Sequence, residues 1–229
     1  MTEILQVSIL PVLLTLAAYQ VGLFLQKKVR SPLCNPILIA VVVVIVFLSL
    51  AGIPVSDYRS GTASISWLMT PATICLAIPM YEQFQILRKN ILLMAAGIAA
   101  GAVSCLAMVL IFGLIFRFDP ALTISMLPKS VTSAIGVPLS GLSGGVESIT
   151  TAAIILTGIF AGMLGPTFCR WFGITHPVAM GVALGTSGHV IATARANEFG
   201  SLTGAASSLS LVVAGLLTAT VFPLLIQLL

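Results

Sequence analysis

Apolar runs at residues 5–26, 36–51, 62–81, 91–116, 148–168, 177–196 and 202–228 divide the chain, with short polar breaks between them. Runs of this kind approach the roughly 20 apolar residues that an α-helix needs to cross a bilayer core. The second is the plainest, with Val41-Val42-Val43-Val44-Ile45-Val46 at its centre, and its expected role is structural. Two others are interrupted. The run 62–81 holds Thr70-Pro71-Ala72-Thr73 and Pro79, and a mid-helix proline removes a backbone bond and clashes with the preceding turn, so a kink or break is expected there. The run 177–196 holds Gly181 and Gly185-Thr186-Ser187-Gly188-His189. The stretch 121–145 differs from all of them. It carries Leu127-Pro128-Lys129-Ser130-Val131-Thr132-Ser133-Ala134-Ile135-Gly136 and closes on Pro138-Leu139-Ser140-Gly141-Leu142-Ser143-Gly144-Gly145.

Composition sets the class. Hydrophobic residues make up 59% of the 229 and charged residues 7%, and mean hydropathy is +1.17. A soluble domain carries about a quarter charged residues. The expected fold is therefore an all-α polytopic membrane protein, a single integral membrane domain over 1–229. Short alternating strands are missing, which excludes a transmembrane β-barrel. The net charge of +4 comes from cations at helix ends, which act as orientation signals; no nucleic-acid partner is expected. Cys34, Cys75, Cys105 and Cys169 are scattered without a CxxC pair, so neither a disulfide framework nor a metal site is implied. The first apolar run lacks a basic leader and a small-residue cleavage site, so no cleavable signal peptide is expected.

Basic residues orient the runs. Lys27-Lys28-Val29-Arg30 places the first loop in the cytoplasm and the N-terminus outside. Gly52 to Gly61 then reads as an outside loop, and Arg88-Lys89 return to the inside. If 121–145 dips into the membrane and returns on the outer side, Arg170 joins the inner cations; a full crossing would put it outside. The expectation is about seven transmembrane helices plus a re-entrant segment at 121–145, with the C-terminus inside. Residues 36–116 and 148–228 then become oppositely oriented repeats, each with a broken middle helix, as in many secondary transporters. A short echo supports this, since Pro71 to Ile78 aligns without a gap on Pro128 to Ile135. Gly97 with Gly101, and Gly158 with Gly162, offer small-residue faces for close helix approach and make a homo-oligomer plausible. Asp119-Pro120 reads as an N-cap followed by proline at the first helical position.

A lysine at membrane depth costs at least about 2.5–3.5 kcal/mol, so Lys129 is expected to face a bundle interior or wet cavity. The competing reading is a side chain that snorkels from a helix end to the headgroups. Around Lys129 the expected binding set for a small organic anion is Thr70, Thr73, Ser130, Thr132, Ser133, Thr186, Ser187, His189, Thr193 and Arg195. Helix N-termini at the breaks would favour the same anion, and the hydroxyls would take its hydroxyl or keto oxygen. Thr186, His189 and Thr193 stand at i, i+3 and i+7, one face of a continuous helix. His189 could carry a coupling proton, or be a neutral strut hydrogen-bonded between helices. Arg195 could equally be an interfacial cation beside Glu198, while Glu82 and Glu147 fall at run ends and read as solvated.

A catalytic reading rests on Gly141-Leu142-Ser143-Gly144, a GxSG spelling found in intramembrane serine proteases, with His189 as the base on a later run. Four residues with two glycines arise easily, and Pro138 and Gly145 make the segment a loop rather than a helix start. Neither a zinc-protease, P-loop nor dinucleotide fingerprint is present. No enzyme activity, catalytic residue or cofactor is expected.

Three motifs carry a resemblance. Pro71-Ala72-Thr73-x-x-Leu76-Ala77-x-Pro79-x-Tyr81, the run Pro128-Lys129-Ser130-Val131-Thr132, and Gly185-Thr186 through His189 to Thr193-Ala194-Arg195-Ala196 resemble the LrgB/CidB family. The tail Gly204-Ala205-x-Ser207-Ser208-Leu209, with Ala214-Gly215 and Thr218-Ala219, is similar too, so the match covers essentially the whole chain. It departs at Val190-Ile191-Ala192, where more glycine would be expected. The resemblance implies a bacterial inner-membrane protein, often paired with a smaller LrgA-like membrane protein. Members were named as holin/antiholin-like regulators of murein hydrolases and autolysis, plastid relatives look like glycolate/glycerate carriers, and bacterial relatives are linked to pyruvate. The preferred expectation is a secondary carrier of small monocarboxylates or hydroxy acids. The alternative is an antiholin-like oligomer acting on autolysis.

Overall fold

The computed structural model describes residues 2–29, 36–68, 71, 74–75 and 77–227, and all regular structure among them is helical. They fall into two compact units, Met1–Cys75 and Leu76–Leu229. The expected sites Thr70 and Thr73 lie outside the described residues.

The first unit is a helical hairpin, α1 (Thr2–Val29) and α2 (Pro36–Ala51), followed by two short helices, α3 (Val55–Gly61) and α4 (Ala63–Trp67). The hairpin closes tightly because Gly22 has no side chain: a Cβ there would lie 2.5 Å from the Pro36 carbonyl oxygen. Gly52 ends α2 with a φ of 64°, the left-handed conformation that glycine adopts without penalty. The polar stretch 52–61, expected as a loop, contains the helix α3. Extended Pro54 precedes its first turn, and Asp57 in that first turn with Arg59 in the last complement the helix dipole. The expected run 62–81 is not one helix. Helix α4 stops at Trp67 with a turn at Leu68, Pro71, Ile74 and Cys75 are helical, and α5 (Ala77–Glu82) and α6 (Phe84–Lys89) follow; Thr70, Ala72 and Thr73, where the break is expected, lie outside the described residues.

The second unit is built on four long helices: α7 (Ile91–Ile115), α10 (Glu147–Trp171), α11 (Pro177–Asn197) and α12 (Ser201–Ile226). Between α7 and α10 stand α8 (Pro120–Met126), a 3-10 turn at Leu127–Ser130, and α9 (Ser133–Leu142). Helix α11 is the hub, and glycines let its neighbours reach it. A Cβ on Gly181 would fall 2.5 Å from the Thr203 carbonyl oxygen of α12, and one on Gly101 of α7 would fall 3.0 Å from the Thr186 hydroxyl. On its third side, Gly165 of α10 takes the Leu184 side chain and Gly158 takes the His189 ring. Small-residue contacts of this kind are how helices associate in lipid, where apolar burial alone offers no preference. Apolar clusters fill the remaining space, one around Met94, Ile98, Ala102, Val178 and Ala206, another around Leu106, Val109, Ile124, Leu127 and Phe222.

The segment after α7 follows its sequence signals closely. The Asp119 carboxylate caps α8 by accepting the Ala121 N–H at 2.8 Å, with Pro120 next in line. Pro128 then tightens the chain into the 3-10 turn, and Val131 (φ −105°, ψ 175°) and Thr132 (φ −68°, ψ 150°) are extended before α9 begins. The Val146 N–H donates to the Ser125 hydroxyl at 2.7 Å, and the Thr150 hydroxyl donates to Ser140 at 2.7 Å. The entry to α10 therefore sits against the C-terminal end of α8, and the intervening residues run out and back.

Five helical stretches are long and apolar enough to cross a membrane: Ile9–Lys28, Ile91–Ile115, Glu147–Trp171, Pro177–Asn197 and Ser201–Ile226. The protein is a multi-pass membrane protein. Helix α2 is apolar throughout but, at 16 residues, about 24 Å long, shorter than a typical core.

Candidate functional site

Lys129 is placed by the proline before it. A lysine within α8 would continue that helix; on the 3-10 turn it projects between α7, α10 and α11 instead. It lines a cavity of about 460 Å³, and its Nζ lies 3.5 Å from the Ser130 hydroxyl, to which it donates. The other walls come from Cys105 of α7, from Ala183, Leu184 and Ser187 of α11, and from a stripe of α10 running from Thr157 through Phe160, Ala161, Leu164, Gly165, Phe168 and Cys169 towards Phe172. No acidic side chain lines this cavity, and among the described residues the one ion pair is Arg195 with Glu198. The lysine charge thus faces a largely apolar groove, open past the exposed Phe160, Phe168 and Phe172, with no carboxylate opposite.

A second, much smaller cavity of about 10 Å³ backs onto the same turn, lined by Ser130, Val131, Thr186, Thr218, Leu127 and Cys105 among others. That is room for about one water. Cys105 belongs to both walls, and the neighbour pairs Lys129-Ser130 and Thr186-Ser187 each give one residue to each cavity. Lys129, Ser130, Thr186 and Ser187 are therefore brought together. The Thr186 hydroxyl donates to the Val182 carbonyl at 2.7 Å and that of Ser187 to the Ala183 carbonyl at 2.7 Å, so each retains lone pairs to accept with.

The rest of the expected set lies elsewhere. Helix α11 is broken at Gly188 (φ −134°, ψ 18°) and His189 (φ 43°, ψ −140°), so Thr186, His189 and Thr193 do not share one continuous helical face. The shared-face expectation fails because it assumed unbroken helical rotation between them. His189 is buried, its ring against Gly158 and its Nε2 2.9 Å from the Ile154 carbonyl oxygen, and it lines neither cavity. Thr193 is fully buried between the His189 carbonyl, to which it donates at 2.8 Å, and the Ser207 hydroxyl at 2.8 Å. Arg195 pairs with Glu198 at the end of α11 and lies over the Phe199 ring at 5.5 Å. Thr132 stands at the N-cap position of α9 without a side-chain capping bond and Ser133 opens the helix, next to the lysine turn but outside both cavity walls.

Cys105, Thr157 and Thr218 were missed by residue-type reasoning. Thr157, Ala161, Gly165 and Cys169 recur every fourth position on α10, so the stripe was open to detection as a small-residue face. Thr218 stood only in the tail pattern of the resemblance and not among the expected site residues, because a hydroxyl in an apolar helix ordinarily bonds to its own backbone. The GxSG segment straddles the end of α9, with Gly141 and Leu142 its last residues and Ser143 at its C-cap, while His189 is held by Ile154, two turns into α10. Among the described residues no group of three or more histidines, cysteines and carboxylates could hold a metal ion.

Comparison with known proteins agrees with the motifs. Residues 15–228 match the LrgB-like family. The antiholin-like protein LrgB of Bacillus subtilis (strain 168) is 37% identical over 218 residues, covering 95% of this chain and 94% of the relative. No solved structure matches. The chain belongs to the LrgB-like family.

Proposed function

We propose that the chain is a secondary carrier of small monocarboxylates and hydroxy acids of the glycolate, glycerate, lactate or pyruvate type. One observation carries this: the Lys129 ammonium lines a cavity with no carboxylate opposite it, on a turn between two short helices. A half-buried cation beside an apolar groove with no carboxylate in its walls suits a visiting anion. Around the same turn, Thr186 and Ser187 spend their hydroxyl protons on backbone carbonyls and can accept from the hydroxyl of a hydroxy acid, while Ser130 accepts from Lys129 and keeps its own proton to donate. Thr132, Ser133, His189, Thr193 and Arg195 become supporting residues in this reading, and Thr70 and Thr73 are kept on their sequence pattern alone. Backbone held at an unfavourable dihedral, as at His189, costs of order 1–3 kcal/mol and tends to mark moving or ligand-binding segments.

The finer topology belongs to the same proposal. The bond from Val146 to Ser125 supports a re-entrant hairpin over 121–145, and with it seven crossings, an outside N-terminus and an inside C-terminus in a bacterial cytoplasmic membrane. Inverted repeats at 36–116 and 148–228 complete that topology. A homo-oligomer, or a complex with an LrgA-like membrane protein, belongs to the proposal as well, through surfaces other than the Gly97/Gly101 and Gly158/Gly162 faces, which pack on α11.

A second reading is favoured by the relative's name, antiholin-like protein LrgB: an oligomer that modulates membrane permeability and, through it, wall hydrolysis. Liposomes holding only this chain separate the two. Labelled glycolate, glycerate, lactate and pyruvate are offered with and without a pH gradient, with a bulky neutral dye trapped inside. Saturable uptake with the dye retained is the carrier result; dye loss alongside every acid sinks it in favour of a lesion.

A further inference from the structure

We propose that the small cavity behind the lysine turn binds one water molecule, and that through it Thr218 positions Ser130 for the anion held at Lys129. The role given to the anion rests on the carrier reading; the water does not. Three hydroxyls from three elements line this cavity: Ser130 of the turn, Thr186 of α11 and Thr218 of α12. Apart from Ser130 and Cys105, its walls are buried residues. Thr218 is the unusual member. It is 4% exposed, and its hydroxyl makes no hydrogen bond among the described residues. Thr220, two residues on, behaves as a helical threonine ordinarily does and donates to the Leu216 and Leu217 carbonyls. A buried hydroxyl without a partner is costly, and a polar molecule of the right size removes that cost. The volume, about 10 Å³, admits about one water and no organic acid.

Charge decides between water and a metal cation. Neither cavity is lined by a carboxylate, and the Lys129 ammonium stands 3.5 Å from the Ser130 hydroxyl that would have to ligate the ion. Like charges that close, away from bulk water, disfavour the cation. Water carries no such penalty, and the hydroxyls fix its direction. The Thr186 proton is spent on the Val182 carbonyl, so Thr186 only accepts, whereas Thr218 has its proton to give. The Cys105 thiol is too weak a partner to compete with either. A water among them therefore accepts from Thr218, donates to Thr186, and sends its second proton to Ser130. Ser130 then accepts twice, from Lys129 and from the water, which fills its lone pairs. Its own proton is left for the groove, where an oxygen of the acid takes it. Thr218 thus acts on the anion without touching it.

Two measurements on the full chain test this. Magnetisation transfer from water to labelled threonine methyls, with the protein in lipid bilayers, should give a long-lived water signal at Thr186 and Thr218. In Thr218→Val, which keeps the shape and removes the hydroxyl, the signal at Thr186 should disappear. No signal in the unaltered chain would overturn the inference. So would methyl shifts at Thr186 and Thr218 that follow exchange of sodium for choline, in favour of a cation. Equilibrium dialysis of labelled glycolate against the chain in nanodiscs reads the effect on the anion. Thr218→Val should raise Kd about threefold to tenfold without changing the number of sites, and Thr218→Ser should restore it. In Ser130→Ala, Thr218→Val should cost nothing further, because its effect passes through Ser130. Unchanged affinity in Thr218→Val, or losses additive with those of Ser130→Ala, would remove Thr218 from the positioning role. A water signal without displaceable glycolate binding defeats the carrier reading alone. Glycolate binding and uptake without a water signal defeat this inference alone.

Discussion

Lys129 and His189 show how far residue type predicts residue role. Both are rare polar groups in an apolar chain, yet one lines a cavity and the other is locked between helices. Lysine was legible because its charge has few affordable places in lipid, and a proline beside it signalled a turn rather than a helix. Lys129→Ala should raise the half-saturating acid concentration about tenfold to a hundredfold, the worth of one charged hydrogen bond, or abolish saturable uptake outright. Yield from the membrane should be unchanged, and normal uptake by the variant would remove the lysine from the site. Histidine offered two roles, and the choice depended on backbone dihedrals at positions 188 and 189 that no periodicity encodes. As a strut, His189 should matter for stability first. His189→Ala removes a buried ring and its bond to the Ile154 carbonyl, an expected loss of about 2–4 kcal/mol read as a lower thermal midpoint in nanodiscs. An unchanged midpoint with altered pH dependence of uptake would instead return His189 to the proton path.

At the scale of elements, the long helices and their ends were legible to within a few residues, because apolar length and capping residues are local signals. Asp119-Pro120 is the clearest case: a cap and a preset φ start α8 where the sequence places them. Short helices such as α3 were not legible, since seven residues carry no periodic signal above that of a polar loop. Helix contacts were legible only as spacing. The Gly158-x-x-x-Gly162 face was visible, but that Gly158 receives an imidazole ring, and not another backbone, required the fold. A Cβ at Gly158 would stand 2.6 Å from the His189 ring. Gly158→Val should therefore force α10 and α11 apart and cost about 1–3 kcal/mol, visible as a depressed thermal midpoint. In His189→Ala the same valine should cost less, because the ring is gone and only the flexible end of the Ile191 side chain, 2.9 Å away, has to shift. Additive losses in that double variant would show that the glycine serves something other than the histidine.

For the molecule as a whole, topology decides whether the two short helices flanking Lys129 reach the cavity from one face of the membrane. Helices α8 and α9, at 7 and 10 residues, are about 10 and 15 Å long, and neither alone covers a core near 30 Å. End to end they could cross; folded back they cannot, and the bond from Val146 to Ser125 favours the folded form. Positive charge argues the same way, because a hairpin puts Arg170 on the side of Lys27, Lys28, Arg88 and Lys89. Single cysteines at Asp119, Gly144 and Gly173, each in a chain cleared of its native thiols, convert this into a labelling pattern. With a re-entrant segment, an impermeant maleimide added to intact cells should reach positions 119 and 144 alike, and position 173 only after permeabilisation. With a full crossing, 119 and 144 should react from opposite faces. That outcome would break the opposed orientation of 36–116 and 148–228, and with it the inverted-repeat architecture, while leaving the lysine cavity, which lies wholly in the second unit, open to test by binding.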